Sequence, residues 1–161
     1  MQISSILTPG RMAHCPQVGS KRRIFEKLAD LLAQDQPLLE QEEIYNRLLE
    51  RERLGSTGLG KGIAIPHARI SELTHTSGAF IQLQQGVDFN ALDEEPVDIV
   101  FALLVPDLTE AEQAGHLQTL ANLVAMLSDQ RLCQQLRKPE LELSEKYRLM
   151  EQWHKSTAVN T

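Results

Sequence analysis

The residue with the clearest chemical potential is His67, which follows a short apolar run and a proline in the sequence IAIPH. Such a run predicts a strand over residues 63–67, and the end of a strand presents a side chain from a rigid scaffold. Because Pro66 has no N–H to donate, the strand should end or lie at an edge there. A free imidazole titrates near pH ~6.5, so its neutral form is a good nucleophile toward phosphorus near neutral pH. A lone histidine is nevertheless structural more often than catalytic, so its neighbours must be considered.

A glycine-rich segment, GSTGLGKG over residues 55–62, comes directly before this run and is predicted to be a loop. It matches the first part of the GxxxxGK motif of nucleotide-binding P-loops, but Gly62 stands where that motif needs a hydroxyl for magnesium. The segment also follows a predicted helix and opens a strand, which reverses the P-loop order, so we reject a nucleotide site. Two interpretations remain for the segment alone. It is either a flexible connector or an anion cradle whose N–H groups lie at Ser56, Thr57, Gly58 and Gly60.

Two further side chains suit an anion. Arg51 ends the second predicted helix, where a cation complements the helix dipole and a guanidinium has the reach to bind an oxyanion held by the loop. His116 lies near the start of a later helix, and a helix N-terminus favours anions, although a polar residue beside an apolar stripe is the simpler interpretation. Two histidines also raise the alternative of a zinc hydrolase. That alternative is distant, because no carboxylate or cysteine lies at ligand spacing from His67 and the chain has no HExxH.

Helical and extended patterns alternate along the chain, which favours an α/β fold. Ser20 is placed to cap a first helix, Gly55 to stop a second helix over about residues 40–53, and Thr109 to open a third through a capping box. Residues 97–105 are apolar on both sides, as expected of a central strand, and residues 79–83 form another candidate. Helices are also predicted near residues 132–136 and 144–153. The inward faces of the first and third helices are predicted to be Ile24, Phe25, Leu28, Leu31 and Leu32, and Leu117, Leu120, Val124 and Leu127.

The net charge of −6 over 161 residues argues against a nucleic-acid surface, which needs concentrated Lys and Arg. The tight basic cluster at residues 21–23 is predicted to be the solvated first turn of a helix, with a small basic contact patch for a partner as the alternative. The chain begins with neither a basic leader nor a long apolar stretch, and its most apolar run, residues 99–105, is too short to span a membrane. Cys15 and Cys133 form no CxxC pair and predict reduced, structural thiols. We therefore expect a cytoplasmic protein with no membrane insertion, metal or cofactor.

Residues 48–69, with the sequence LLERERLGSTGLGKGIAIPHAR, closely resemble the active-site segment of the fructose/mannitol-type enzyme IIA domains of the bacterial phosphotransferase system. Together with PVDIVFALLVP and HLQTLANLVAML downstream, this sequence is most similar to the nitrogen-regulatory branch of that family. The resemblance covers about residues 1–137. It implies an α/β domain with a mixed five-stranded sheet flanked by helices on both sides. From the sequence pattern we place this domain at residues 1–153 and a polar tail at residues 154–161.

The resemblance also implies roles for individual residues. The phosphorylated histidine of the family falls on His67, its phosphoryl-stabilising histidine on His116 and its active-site arginine on Arg51. The implied donor is a phosphorylated HPr-like carrier, the nitrogen-related one in this branch, and the protein would signal by phosphorylation-dependent binding to regulated target proteins. Such a protein is a phosphoryl-transfer component with a phosphohistidine intermediate rather than a turnover enzyme on a small molecule. The alternative within the family is a sugar-transport enzyme IIA that passes phosphate to a IIB partner.

Overall fold

The computed structural model describes residues 2–15, 19–107 and 109–153, and the chain divides into two compact units. The first unit spans residues 6–107, and its described part contains a β-sheet and two helices. The second comprises residues 1–5 and 108–161, and its described part contains three helices. Within the described residues, no helix is long and apolar enough to cross a membrane. The predicted tail at residues 154–161 lies outside the described residues.

The described residues of the first unit form a 3₁₀ turn at Pro9–Arg11, six strand segments and two helices. The strands and helices are β1 (Met12–Cys15), α1 (Lys21–Ala33), α2 (Gln41–Arg53), β2 (Gly58–Gly60), β3 (Ile63–Ala64), β4 (His67–Arg69), β5 (Ser77–Val87) and β6 (Val97–Val105). The described part of the second unit holds a 3₁₀ turn at Ile3–Ser5 and three helices. These are α3 (Glu110–Leu127), α4 (Gln130–Leu136) and α5 (Leu143–Gln152).

The sheet is mixed, with the strand order β1-β5-β6-β3-β2, and β4 also pairs with β6. β5 and β6 are antiparallel, as are β2 and β3, whereas β1 runs parallel to β5. β3 and β4 both run parallel to β6 in one unbroken register, with Ile63 opposite Ile99 and His67 opposite Leu103. They are therefore one row interrupted at residues 65–66, and the sheet has five rows. The predicted α/β class and the mixed five-stranded sheet are confirmed.

The helices of the first unit begin where the sequence indicates. Ser20 caps α1 by accepting a hydrogen bond from the N–H of Arg23 at 3.2 Å. The predicted inward face of α1 is buried in full, and α2 buries Ile44 and Leu48 with Tyr45 and Leu49 half-buried. The central position of β6 is also confirmed, because it lies between β5 and the row of β3 and β4, and all but one of its residues are buried.

Two sequence predictions in these elements need correction. The strand predicted at residues 79–83 runs over Ser77–Val87, and the segment predicted as a loop at residues 55–62 contains strand β2, whose Gly58 lies opposite Ala64. The prediction missed this strand because glycines are typical of loops. Here Gly60 and Gly62 have positive φ angles of 91° and 83° and form the tight turn between β2 and the antiparallel β3.

In the second unit, the Thr109 hydroxyl accepts the N–H of Glu112 at 3.3 Å and caps α3 as predicted, while Asp129 caps α4. The predicted inward face of α3 is partly wrong. Leu117 is 64% exposed and Leu120 and Val124 are half-buried, whereas the helix buries Leu123, Met126 and Leu127. The reason is that apolar residues occur on more than one side of this helix, so spacing alone does not single out the buried face.

We expect Gly78→Ala in β5 to destabilise the protein by about 1–3 kcal/mol through overpacking. A Cβ at this position would lie 2.9 Å from Cε1 of Phe101 and 3.1 Å from the carbonyl oxygen of Ile6, which already accepts the Gly78 N–H. Urea denaturation measures the change. Gly19→Ala is the matched control, because a Cβ there meets no atom within 4 Å. Equal stabilities of the two variants would contradict the tight packing at Gly78.

Candidate functional site

His67 is the first residue of β4, directly after the interruption in its sheet row. At the interruption, the Pro66 carbonyl accepts the N–H of Leu103 in β6 at 2.9 Å, while the Ile65 N–H turns to the carbonyl of Thr57 at 3.1 Å. Among the described strands, β4 pairs with β6 alone, so His67 stands on an edge segment, as Pro66 predicts. Its side chain is half-buried, which combines a fixed backbone with access for another molecule.

The imidazole of His67 is oriented by its own backbone. Its Nδ1 lies 3.0 Å from the carbonyl oxygen of Ile65. A carbonyl only accepts hydrogen bonds, so in the neutral ring Nδ1 carries the proton and donates it to Ile65. The lone pair of the neutral ring is then on Nε2. The geometry therefore leaves Nε2 as the nitrogen whose lone pair is available to other groups.

Thr57 in the glycine-rich segment is held by a buried acid that the sequence did not single out. Its N–H donates to Oε1 of Glu52 at 3.1 Å and its hydroxyl to Oε2 at 2.7 Å. The Glu52 side chain is 3% exposed and also pairs with Nζ of Lys21 at 2.7 Å. One signal was available in the sequence: a carboxylate in the last turn of a helix opposes the helix dipole, which requires a compensating partner.

Lys21 corrects the prediction that residues 21–23 form a solvated first turn. Arg22 and Arg23 are exposed, but Lys21 is half-buried. Besides pairing with Glu52, its ammonium donates to the carbonyl of Phe89 at 3.3 Å and lies 5.1 Å from the centroid of that ring. The prediction failed because a buried carboxylate, distant in sequence, draws this cation inward.

The remaining glycine-segment residues also make contacts within the protein. Ser56 donates its hydroxyl proton to the carbonyl of Phe89 at 2.6 Å and accepts the N–H of Gly58 at 3.1 Å. Gly58 packs closely as well, since a Cβ there would lie 2.8 Å from that of Ala91. The structure thus shows a tightly bonded hairpin, and the role of Ser56, Thr57, Gly58 and Gly60 as a phosphoryl cradle stays a prediction.

Arg51 and His116 lie on different units of the chain. Arg51, in the last turn of α2, donates from Nη1 to the carbonyl of Gly55 at 3.1 Å, which holds its guanidinium at the start of the glycine-rich segment. His116 is a half-buried residue of α3. The structure connects Thr57 to His67 through Ile65, whereas the roles of Arg51 and His116 stay predictions. In the described parts of the chain, no group of three or more His, Cys, Asp or Glu side chains is arranged to hold a metal ion.

Comparison with known proteins gives consistent findings. Residues 5–144 match the family described as "Phosphoenolpyruvate-dependent sugar phosphotransferase system, EIIA 2". The chain is 45% identical over 127 residues to a nitrogen regulatory protein of Pseudomonas aeruginosa, covering 79% of this chain and 80% of that protein. It is 41% identical over 143 residues to one of Escherichia coli, covering 85% and 82%. The crystal structure of nitrogen regulatory protein IIA-Ntr from Neisseria meningitidis superposes with a TM-score of 0.83 at 34% identity, covering 92% of this chain and 98% of that one.

The turn between β2 and β3 is held by the carboxylate of Asp93, so its stability should depend on pH. Asp93 accepts the N–H groups of Lys61 at 2.8 Å and Glu95 at 3.1 Å, and these bonds hold the pKa of Asp93 below its ordinary value of 3.8. A lowered pKa in the folded state stabilises the protein above pH 3.8, and this contribution is lost as the pH falls through the folded-state pKa. We therefore expect Asp93→Asn to destabilise the protein at pH ~7 and the difference from wild type to shrink at pH ~3.

Urea unfolding at both pH values and constant ionic strength measures this difference. Glu94→Gln, which removes a charge at a neighbouring exposed carboxylate, controls for the change in net charge. A difference between Asp93→Asn and wild type that is as large at the acidic pH would contradict the proposed anchoring of the turn.

Proposed function

Because the chain belongs to the EIIA 2 family of the phosphoenolpyruvate-dependent sugar phosphotransferase system, we propose that it is a phosphoryl carrier of the nitrogen-regulatory branch. It accepts a phosphoryl group on His67 from a phosphorylated HPr-like protein in the cytoplasm. The observation that carries the proposal is the contact between Nδ1 of His67 and the Ile65 carbonyl, which leaves Nε2 as the basic nitrogen of a half-buried ring on an edge strand.

The transfer step balances between two imidazoles. The Nε2 lone pair of His67 attacks the phosphorus of the donor's phosphohistidine, whose other ring nitrogen carries a proton. The donor P–N bond breaks and its electron pair returns to the donor ring, which leaves as a neutral imidazole. Nδ1 of His67 keeps its proton throughout and continues to donate to Ile65, so the phosphorylated ring stays aligned. The same kind of bond is made and broken, so the protein mainly has to align the reactants and stabilise charge on the equatorial oxygens.

Arg51 and His116 supply that stabilisation in this proposal. The position of Arg51 supports its role, since its guanidinium is held at the first carbonyl of the glycine-rich segment that leads to His67. A positioned cation or imidazole replaces water around the three oxygens with a donor that need not reorganise during the reaction. His116 is assigned by the family resemblance of the sequence HLQTLANLVAML.

Phosphorylation then converts the carrier into a signal. A phosphoryl group adds about 1.5–2 negative charges at one point of the surface. A target protein that docks around unmodified His67 loses affinity when it meets this charge, and one that presents Arg or Lys gains it. The names of the similar proteins from Pseudomonas aeruginosa and Escherichia coli support a regulatory rather than a transport role.

The second candidate is a sugar-transport enzyme IIA, which the family's own description favours. Both candidates share the first transfer to His67 and differ in the fate of the phosphoryl group afterwards. Incubation of the phosphorylated protein with purified sugar-specific IIB proteins discriminates between them. Rapid transfer to a IIB protein supports transport, whereas retention of the phosphoryl group together with phosphorylation-dependent target binding supports regulation.

We expect His67→Ala to abolish labelling by a ³²P-labelled HPr-like carrier, because the proposal makes Nε2 of His67 the atom that accepts the phosphoryl group. The wild type should acquire acid-labile, base-stable label, as a phosphohistidine does. His75→Ala is the matched control, since His75 is an exposed histidine of the same unit, and it should label like the wild type. Labelling of His67→Ala at the wild-type level would remove His67 as the acceptor.

We expect Arg51→Ala and His116→Ala to fold normally and to accept the phosphoryl group about 100-fold more slowly, as for loss of one electrostatic stabiliser. Rapid-quench kinetics with the labelled carrier measures the rates, and thermal melting checks the fold. Arg53→Ala controls for charge, because Arg53 lies in the same last turn of α2 and is exposed. Arg51→Ala kinetics that match those of Arg53→Ala would remove the role of Arg51, and wild-type rates for His116→Ala would remove that of His116.

A further inference from the structure

Glu52 is a buried carboxylate that accepts hydrogen bonds from separate parts of the first unit. Its side chain is 3% exposed and accepts from the ammonium of Lys21, the N–H of Thr57 and the hydroxyl of Thr57. Burying a carboxylate is costly unless it is paired and hydrogen-bonded, and Glu52 meets both conditions. It therefore ties the first turn of α1 and the last turn of α2 to the glycine-rich segment.

The bonds of Glu52 continue to the imidazole of His67. Thr57, held by Glu52 at its N–H and hydroxyl, uses its carbonyl to accept the N–H of Ile65 at 3.1 Å. The carbonyl of the same Ile65 contacts Nδ1 of His67 at 3.0 Å. Glu52 thus fixes Thr57, Thr57 fixes Ile65, and Ile65 orients the ring.

We infer that Glu52 is a positioning residue for His67, acting through Thr57 and Ile65 to keep the proton on Nδ1 and the lone pair on Nε2. The inference about the ring stands on these contacts, and its kinetic consequence rests on the function proposed above. A neutral ring with its proton on Nε2 has no lone pair there and cannot attack phosphorus through that atom. Loosening the Ile65 carbonyl therefore lowers the fraction of molecules that are ready to react.

Lys21 completes the arrangement by supplying the charge that the buried carboxylate needs. Its ammonium is itself held by the carbonyl and the ring face of Phe89. The Phe89 carbonyl also accepts the hydroxyl proton of Ser56, the residue before Thr57. Ser56 and Thr57, which are neighbours in the glycine-rich segment, are thus both held by hydrogen bonds. These bonds favour a rigid segment over the flexible connector that the sequence left open.

The test reads the His67 tautomer directly, by two-bond ¹H–¹⁵N correlation in histidine-labelled protein at a pH where the ring is neutral. Wild type should show mainly the Nδ1–H form. Glu52→Gln, which removes the charge, and Thr57→Val, which removes the hydroxyl, should raise the share of the Nε2–H form. Both should also slow phosphoryl acceptance from the HPr-like carrier, by about tenfold for Glu52→Gln, as for loss of a hydrogen bond to a charged group.

Two control variants separate positioning from general stability. Thr57→Ser keeps the hydroxyl and should retain the wild-type tautomer. Asp35→Asn weakens the ion pair with Arg11, which precedes β1 at the opposite edge of the sheet from β2, and should lower the melting temperature without moving the His67 signals. If Glu52→Gln does not fold, the comparison of Thr57→Val with Thr57→Ser decides.

The inference is overturned if Glu52→Gln and Thr57→Val lower the melting temperature but leave the tautomer of His67 unchanged, because Glu52 would then serve stability alone. The tautomer measurement needs no phosphoryl donor. A wild-type protein that shows the Nδ1–H form yet takes no label from any HPr-like carrier would contradict the proposed function, while the positioning role would still be judged on the spectra.

Discussion

The hydrogen bond between the imidazole of His67 and the carbonyl of Ile65 is the interaction on which the candidate site depends. A neutral imidazole has one proton and two nitrogens, and only a fixed acceptor decides which nitrogen remains basic. The surrounding structure holds the Ile65 carbonyl in place. β6 holds the row on one side through the Pro66 carbonyl, and Thr57 holds the Ile65 N–H on the other. The backbone two residues earlier therefore orients the His67 ring and decides which of its nitrogens carries the proton.

The local signals in the sequence predicted most of the fold. Ser20 and Thr109 cap the helices that come after them, and the doubly apolar run at residues 97–105 is the central strand. These features depend on neighbouring residues only, so the chain encodes them locally. The buried face of α3 was harder to predict, because this helix has apolar residues on more than one side. Only tertiary packing selects which of them are buried.

The sequence indicates a candidate reactive side chain but does not indicate the residues that support it. The sequence IAIPH and the family resemblance both indicate His67, yet neither singles out Glu52 or the inward position of Lys21. Those two residues are 31 positions apart, and their pairing exists only once α1 and α2 have packed. Long-range electrostatic partners of this kind leave no local period or spacing in a sequence.

The interruption between β3 and β4 limits what side-chain mutagenesis at position 65 can detect. The Ile65 oxygen that orients the ring belongs to the main chain, which every amino acid shares, while the Ile65 side chain is 2% exposed in the interior. Replacing this side chain therefore alters packing and leaves the chemical group in place. A mutational scan across position 65 would report a hydrophobic preference and would not detect the contact between the carbonyl oxygen and the ring. A change to the backbone itself, such as an ester in place of the amide, would test that contact.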